Sequence, residues 1–126
     1  MKSLQVKFWR VVFGLALTSV LLASLAPISG QGLVPGLDKL AHVVVYALLY
    51  GLAWLAFPGP ALRWSMHLSL LVYGALIEIL QAQTGYRMME MADLLANVTG
   101  AALANLVLAL VERKTTSAKS VSEEKA

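Results

Sequence analysis

Four stretches of this chain carry no Asp, Glu, Lys or Arg: Val11 to Leu37, Leu40 to Leu62, Trp64 to Ile77 and Leu94 to Val111. Crossing a hydrocarbon core about 30 Å thick takes roughly 20 helical residues. Three of the stretches are close to that length or exceed it. The shorter one, which begins at Trp64, runs on through Ile79-Leu80 to Gln81 with Glu78 as its single charge. A soluble four-helix bundle would need polar outer faces on its helices, and these segments have almost none. Composition agrees. Of 126 residues, 13% are charged and 59% hydrophobic, whereas a soluble domain carries about 25% charged residues. The expected fold is an all-α integral membrane protein, a bundle of four transmembrane helices in one domain.

The length leaves room for a single domain. With no cysteine, disulfide frameworks, thiolate zinc sites and cysteine nucleophiles are excluded. The net charge of +3 is explained by membrane topology rather than nucleic acid, because no basic-aromatic stripe and no Gly-rich phosphate loop is present.

Punctuation along the chain places the helices near 8–26, 38–57, 61–83 and 91–111. Pro27 and the Ser29-Gly30-Gln31-Gly32 run end the first, and Pro58-Gly59-Pro60 forces a tight reversal after the second. Asp38 is suited to cap the second helix. Thr84-Gly85 ends the third. The transmembrane domain is thus expected over residues 1–111, followed by a polar, disordered cytoplasmic tail over 112–126. The basic start and the Ala23-Ser24-Leu25-Ala26 stretch also resemble a signal peptide. A proline directly after that stretch disfavours cleavage, so an uncleaved first helix is expected.

Four crossings put both termini and the 58–63 turn on one side. That side holds Lys2, Lys7, Arg10, Arg63, Arg113, Lys114, Lys119 and Lys125, and the other holds Lys39 and Arg87. Basic residues favour the cytoplasm, so both termini are expected there. Trp9, Trp54 and Trp64 all fall at the same inner interface.

With this orientation, helices two, three and four bring polar residues to one depth below the outer surface. Asp38, His42 and Tyr46 follow at i, i+4 and i+8 on one stripe, beside Lys39. Glu78 and Gln81 share a face near the outer end of the third helix. Arg87 and Glu90 lie in the outer loop, and Asp93 and Asn97 share a face of the fourth helix, continued by Gly100, Ala101 and Ala104. Ionisable groups within membrane spans usually face a bundle interior or a water-filled cavity, and small residues let helices approach closely. An outward-facing polar pocket is the expectation. Gly74, one turn before Glu78, is expected to give the third helix a similar close approach. His67, Tyr50 and Tyr73 are read as packing residues.

The ordered set Asp38-Lys39-x-x-His42-x-x-x-Tyr46, Glu78-x-x-Gln81, Arg87 and Asp93-x-x-x-Asn97-x-x-Gly100 resembles the VanZ-like family of small membrane proteins, over roughly residues 36 to 104. The resemblance implies a multi-pass protein of the bacterial inner (cytoplasmic) membrane. It also implies a link to low-level resistance to glycopeptide antibiotics, especially teicoplanin, with which the name-giving members are associated. Asp38, His42, Glu78, Gln81, Arg87, Asp93 and Asn97 match the family's polar positions.

Three functions compete at this stage. In the first, the pocket binds or remodels the polar head group of a membrane lipid or lipid-linked envelope precursor. Arg87 and Lys39 would supply charge, and His42, Gln81 and Asn97 hydrogen bonds; arginine suits phosphate or carboxylate geometry. The pocket's four carboxylates (Asp38, Glu78, Glu90 and Asp93) oppose such an anion. In the second, Glu78, Asp93 and His42 are the catalytic groups of an intramembrane acid/base enzyme. In the third, the chain is an accessory or transport subunit, for which a homo-oligomer would supply the missing room. No cofactor is expected, and one pocket histidine with no cysteine is a weak metal signal, so no metal is expected either.

Overall fold

The computed structural model describes residues 3–27, 36–85 and 89–124. It contains four helices: α1 (Ser3–Leu25), α2 (Leu37–Ala56), α3 (Pro60–Gln83) and α4 (Met91–Glu124). Each is long and apolar enough to cross a membrane. Leu22, Leu48, Leu68 and Leu95, one from each helix, are 62 to 65% exposed. Apolar side chains therefore cover the outside of the bundle as well as its interior.

The helix ends follow from local chemistry. α2 leaves helical geometry at Phe57, and the chain reverses through Pro58 and Gly59. Gly59 has φ 137°, a region that a side chain would strain. Pro60 then opens α3, where its fixed φ suits the first turn and its missing N–H costs nothing. At the other end of α3, the Thr84 hydroxyl donates to Gln81 O at 2.6 Å. Asp38 is not the cap expected for α2. The N-cap is Gly36, and Asp38 lies inside the first turn, where its charge favours the positive end of the helix dipole while its side chain turns to Lys39.

α2 is the hub of the bundle. It packs most extensively on α4 and next on α1, and α3 touches all three other helices. The core joins Phe13 of α1, Tyr46, Leu49, Tyr50, Ala53 and Ala56 of α2, Leu70 of α3 and Ala101 of α4. Lipid tails are as apolar as leucine, so burial alone draws membrane helices together only weakly and close backbone packing carries more weight. Gly100 shows how close α2 and α4 come: a Cβ built there would lie 2.1 Å from Val43 O. Only a glycine fits.

Polar bonds tie the helix ends. At one end Arg10 Nε donates to Ala56 O at 3.1 Å, and Arg63 makes a two-pronged pair with Glu112 at 2.7 and 2.8 Å. The Arg63 guanidinium also lies 3.5 Å from the centre of the Trp54 ring. At the opposite end Gln81 Nε2 donates to Ser24 O at 2.9 Å, linking α3 to α1. Tyr73, within the bundle, donates to Leu17 O at 2.5 Å.

α4 differs most from its expected bounds. Instead of giving way to a disordered tail at 112, the helix continues to Glu124. No Gly or Pro occurs after Gly100, Glu, Arg, Lys and Ala are good helix formers, and extending an existing helix is far easier than starting one.

Candidate functional site

The polar residues at the α2 N-terminus, the α3 C-terminus and the α4 N-terminus meet at one end of the bundle. Along α2 the stripe of Asp38, His42 and Tyr46 descends into it: Asp38 is exposed, His42 half-buried and Tyr46 buried. α3 contributes Glu78, 1% exposed, and α4 contributes Asn97, 2% exposed. Helical spacing alone put these side chains on the right faces. The close α2–α4 contact at Gly100, about one turn below Asn97, brings the two faces together.

The cluster has two layers. In the upper one, Lys39 Nζ donates to Asp38 Oδ2 at 2.6 Å and to Glu90 Oε2, and pairs with Asp93 Oδ1 at 2.8 Å. One ammonium thus faces three carboxylates. In the lower layer, His42 Nδ1 lies 2.9 Å from Asn97 Oδ1, and His42 Nε2 lies 3.5 Å from Asp93 Oδ2. Asp93 joins the layers, one oxygen in each. Glu78 Oε2 accepts from the Glu90 backbone N–H at 3.4 Å, which ties α3 to the start of α4. A ring nitrogen of His42 and one oxygen each from Glu78 and Asp93 all lie within 4.8 Å of one another.

Beneath this cluster is a cavity of about 200 Å³ whose lining is mostly apolar, from Val20 and Ala23 of α1, Ala41 and Val45 of α2 and Ile77 of α3, with Ser24, His42, Tyr46 and Asn97 as its polar residues. The buried Tyr46 hydroxyl makes no hydrogen bond among the described residues. A groove of about 430 Å³ runs along α3 and α4 between Trp64, Leu68, Leu71, Ala101 and Asn105, and reaches Tyr46 and Asn97 at its other end. The same two residues therefore border both spaces.

Of the site residues expected from sequence, Asp38, Lys39, His42, Glu78, Asp93 and Asn97 come together, with Tyr46 immediately below. Gln81 is buried, and its amide donates to the Ser24 carbonyl of α1. Arg87 lies outside the described residues. His67 packs as expected, stacked on Tyr50 with ring centres 4.2 Å apart. The bond from the Tyr50 hydroxyl to Asn105 Oδ1 at 3.0 Å was not expected from the sequence, although Asn105 continues the face of Asn97 and Ala101 at i+8 and i+4. Nor was the part of Ser24, whose backbone carbonyl accepts from Gln81.

Comparison with curated proteins gives no match, and comparison with solved structures gives none. The family model for VanZ/LLP1 matches residues 2–112. That range takes in α1, α2 and α3 whole, α4 as far as Glu112, and every polar residue of the cluster. With most of its length so matched, this chain of four membrane-crossing-length helices belongs to the VanZ/LLP1 family.

Proposed function

We propose that the chain spans a bacterial cytoplasmic membrane with both termini in the cytoplasm. Its polar cluster then opens at the outer leaflet, where it binds or remodels the head group of a lipid or lipid-linked envelope precursor. The orientation rests on the basic residues, eight of ten of which fall on the side of the termini and the 58–63 turn. The link to teicoplanin susceptibility implied by the family resemblance is part of this reading.

The observation that carries the proposal is that a hydrogen-bonded polar cluster lies next to an apolar groove. Ser24, His42, Tyr46 and Asn97 are the polar residues of an otherwise mostly apolar cavity, and Tyr46 and Asn97 also border the apolar groove along α3 and α4. An amphiphile has the matching two parts: a head group for the hydrogen-bonding end and a chain for the groove between α3 and α4. A small soluble ligand would make no use of the groove.

Mass spectrometry of lipids retained by the purified chain tests this. One head-group class should be enriched over the host membrane, and Asn97→Ala should reduce that enrichment. Retained lipids that mirror the bulk membrane would sink the proposal. An acid/base enzyme is the second reading, favoured by the approach of His42, Glu78 and Asp93 to within 4.8 Å. Comparing lipid composition in cells carrying Glu78→Gln, Asp93→Asn or the unaltered chain separates the two. If both variants change membrane lipids as the unaltered chain does, catalysis by these carboxylates is untenable.

A further inference from the structure

We propose that His42, Glu78 and Asp93 form a binding site for one divalent transition-metal ion of the Zn²⁺ or Mn²⁺ kind. This goes beyond the head-group reading, and because ion binding and lipid retention are measured separately, either can fail alone.

His42 Nε2 and Asp93 Oδ2 are 3.5 Å apart, longer than the 2.7–3.2 Å of an ordinary N–H···O hydrogen bond. Two ligands of a tetrahedral ion, each about 2.1 Å from it, lie roughly 3.4 Å from each other. The spacing suits one edge of such a polyhedron better than a shared proton. Glu78 supplies the third corner, with a carboxylate oxygen within 4.8 Å of a donor atom of each.

The ring orientation points the same way. Nδ1 faces Asn97 Oδ1 at 2.9 Å, and an amide oxygen only accepts, so Nδ1 carries the proton there. In the neutral ring, Nε2 then presents a lone pair towards a carboxylate oxygen. Two acceptors facing each other repel unless a positive charge lies on the ring or between them. A histidine that donates its other N–H to a carbonyl oxygen is also the usual arrangement behind a metal-ligating imidazole, because that bond fixes the tautomer.

Charge supports an added cation. The cluster brings together four carboxylates, those of Asp38, Glu78, Glu90 and Asp93. Asp38, Glu90 and Asp93 also approach one another closely, but Lys39 already pairs with all three, so that triad needs no ion. The deeper triad is different in kind, with an imidazole and two carboxylates half-buried to buried. One imidazole with two oxygen donors suits zinc or manganese better than the all-oxygen cages of calcium. The Tyr46 hydroxyl, 3% exposed and without a hydrogen bond among the described residues, lines the same cavity as His42.

Isothermal titration calorimetry on the full chain, chelator-treated in detergent and free of any polyhistidine tag, tests the site with Zn²⁺ and separately with Mn²⁺. One ion should bind per chain. His42→Gln and Asp93→Asn should abolish binding, Asn97→Ala should weaken it by about 10–100-fold as loss of an outer-shell partner does, and His67→Ala should leave it unchanged. Absence of saturable binding by both ions, or binding that survives in His42→Gln and Asp93→Asn, overturns the proposal. If those variants lose helical circular dichroism, electron spin-echo spectroscopy of Cu²⁺ bound to His67→Ala decides, because His42 is then the one imidazole left. Nitrogen modulation from an imidazole is the expected result, and its absence overturns the assignment.

Discussion

Asp93 holds the site together because its two oxygens look in different directions, one to Lys39 and one towards His42. Asn97 does comparable work one turn deeper, holding the His42 ring. Replacing Asn97 by Ala should lower stability by about 0.6 kcal/mol, and by no more than about 1.7, the range for hydrogen bonds between membrane helices. Thermal unfolding in detergent measures this, and no change in midpoint would mean that the His42–Asn97 bond contributes nothing to the fold. Lys39→Met should lower the same midpoint more than Asp38→Asn, because it removes the shared partner of three carboxylates while Asp38→Asn removes only one of them; the reverse order would contradict the hub. Much of this was legible beforehand. Spacing at i, i+4 and i+8 placed Asp38, His42 and Tyr46 on one stripe, and the uncharged flanks of Glu78 marked it as internal. The hub role of Lys39 was not legible, since neighbours at i and i+1 point away from each other on a helix and only a long, flexible side chain can fold back to Asp38. The bond from the Gln81 amide to the Ser24 carbonyl of α1 was not legible either, because no sequence pattern announces a backbone acceptor on another helix.

Between elements, the contact that sets the site's geometry is the one between the α2 and α4 backbones. In Gly100→Ala the new methyl would meet Val43 O, a backbone atom that cannot swing aside. Overpacking of this kind costs about 1–3 kcal/mol, and here it would also separate Asp93 and Asn97 from His42. Gly14→Ala is the control. Nothing lies within 4 Å of the position its Cβ would take, and alanine is the better helix former by up to about 1 kcal/mol. Unfolding midpoints should therefore fall for the first variant and hold or rise for the second; equal midpoints would mean that α2 and α4 do not pack this closely. The small residues of α4 made this contact readable in advance, and prolines and glycines fixed the bounds of α2 and α3 to within a residue. The outer bounds of α1 and α4 were harder, because loss of hydrophobicity marks where a chain leaves lipid, not where its helix stops.

The whole molecule has two unlike ends. One gathers Arg10, Arg63, Glu112, Phe57 and Trp54, with guanidinium groups lying over aromatic rings; the other gathers carboxylates around Lys39. Tryptophan and arginine are at home at membrane interfaces, and an excess of Lys and Arg favours the cytoplasmic one. α4 adds to that asymmetry. From Val111 to Glu124 it continues for thirteen residues, about 20 Å at 1.5 Å per residue, and this extension carries Arg113, Lys114 and Lys119. These basic residues lie just past the apolar segment, where they weigh on orientation. A periplasm-active reporter fused after Gly36 should therefore be active, and one fused after Gly59 inactive, with a cytoplasm-active reporter giving the opposite pair. The reverse pattern would place the carboxylate cluster in the cytoplasm. The lipid reading would then have to move to the inner leaflet, while the metal site, which depends only on His42, Glu78 and Asp93, would stand or fall on its own titration.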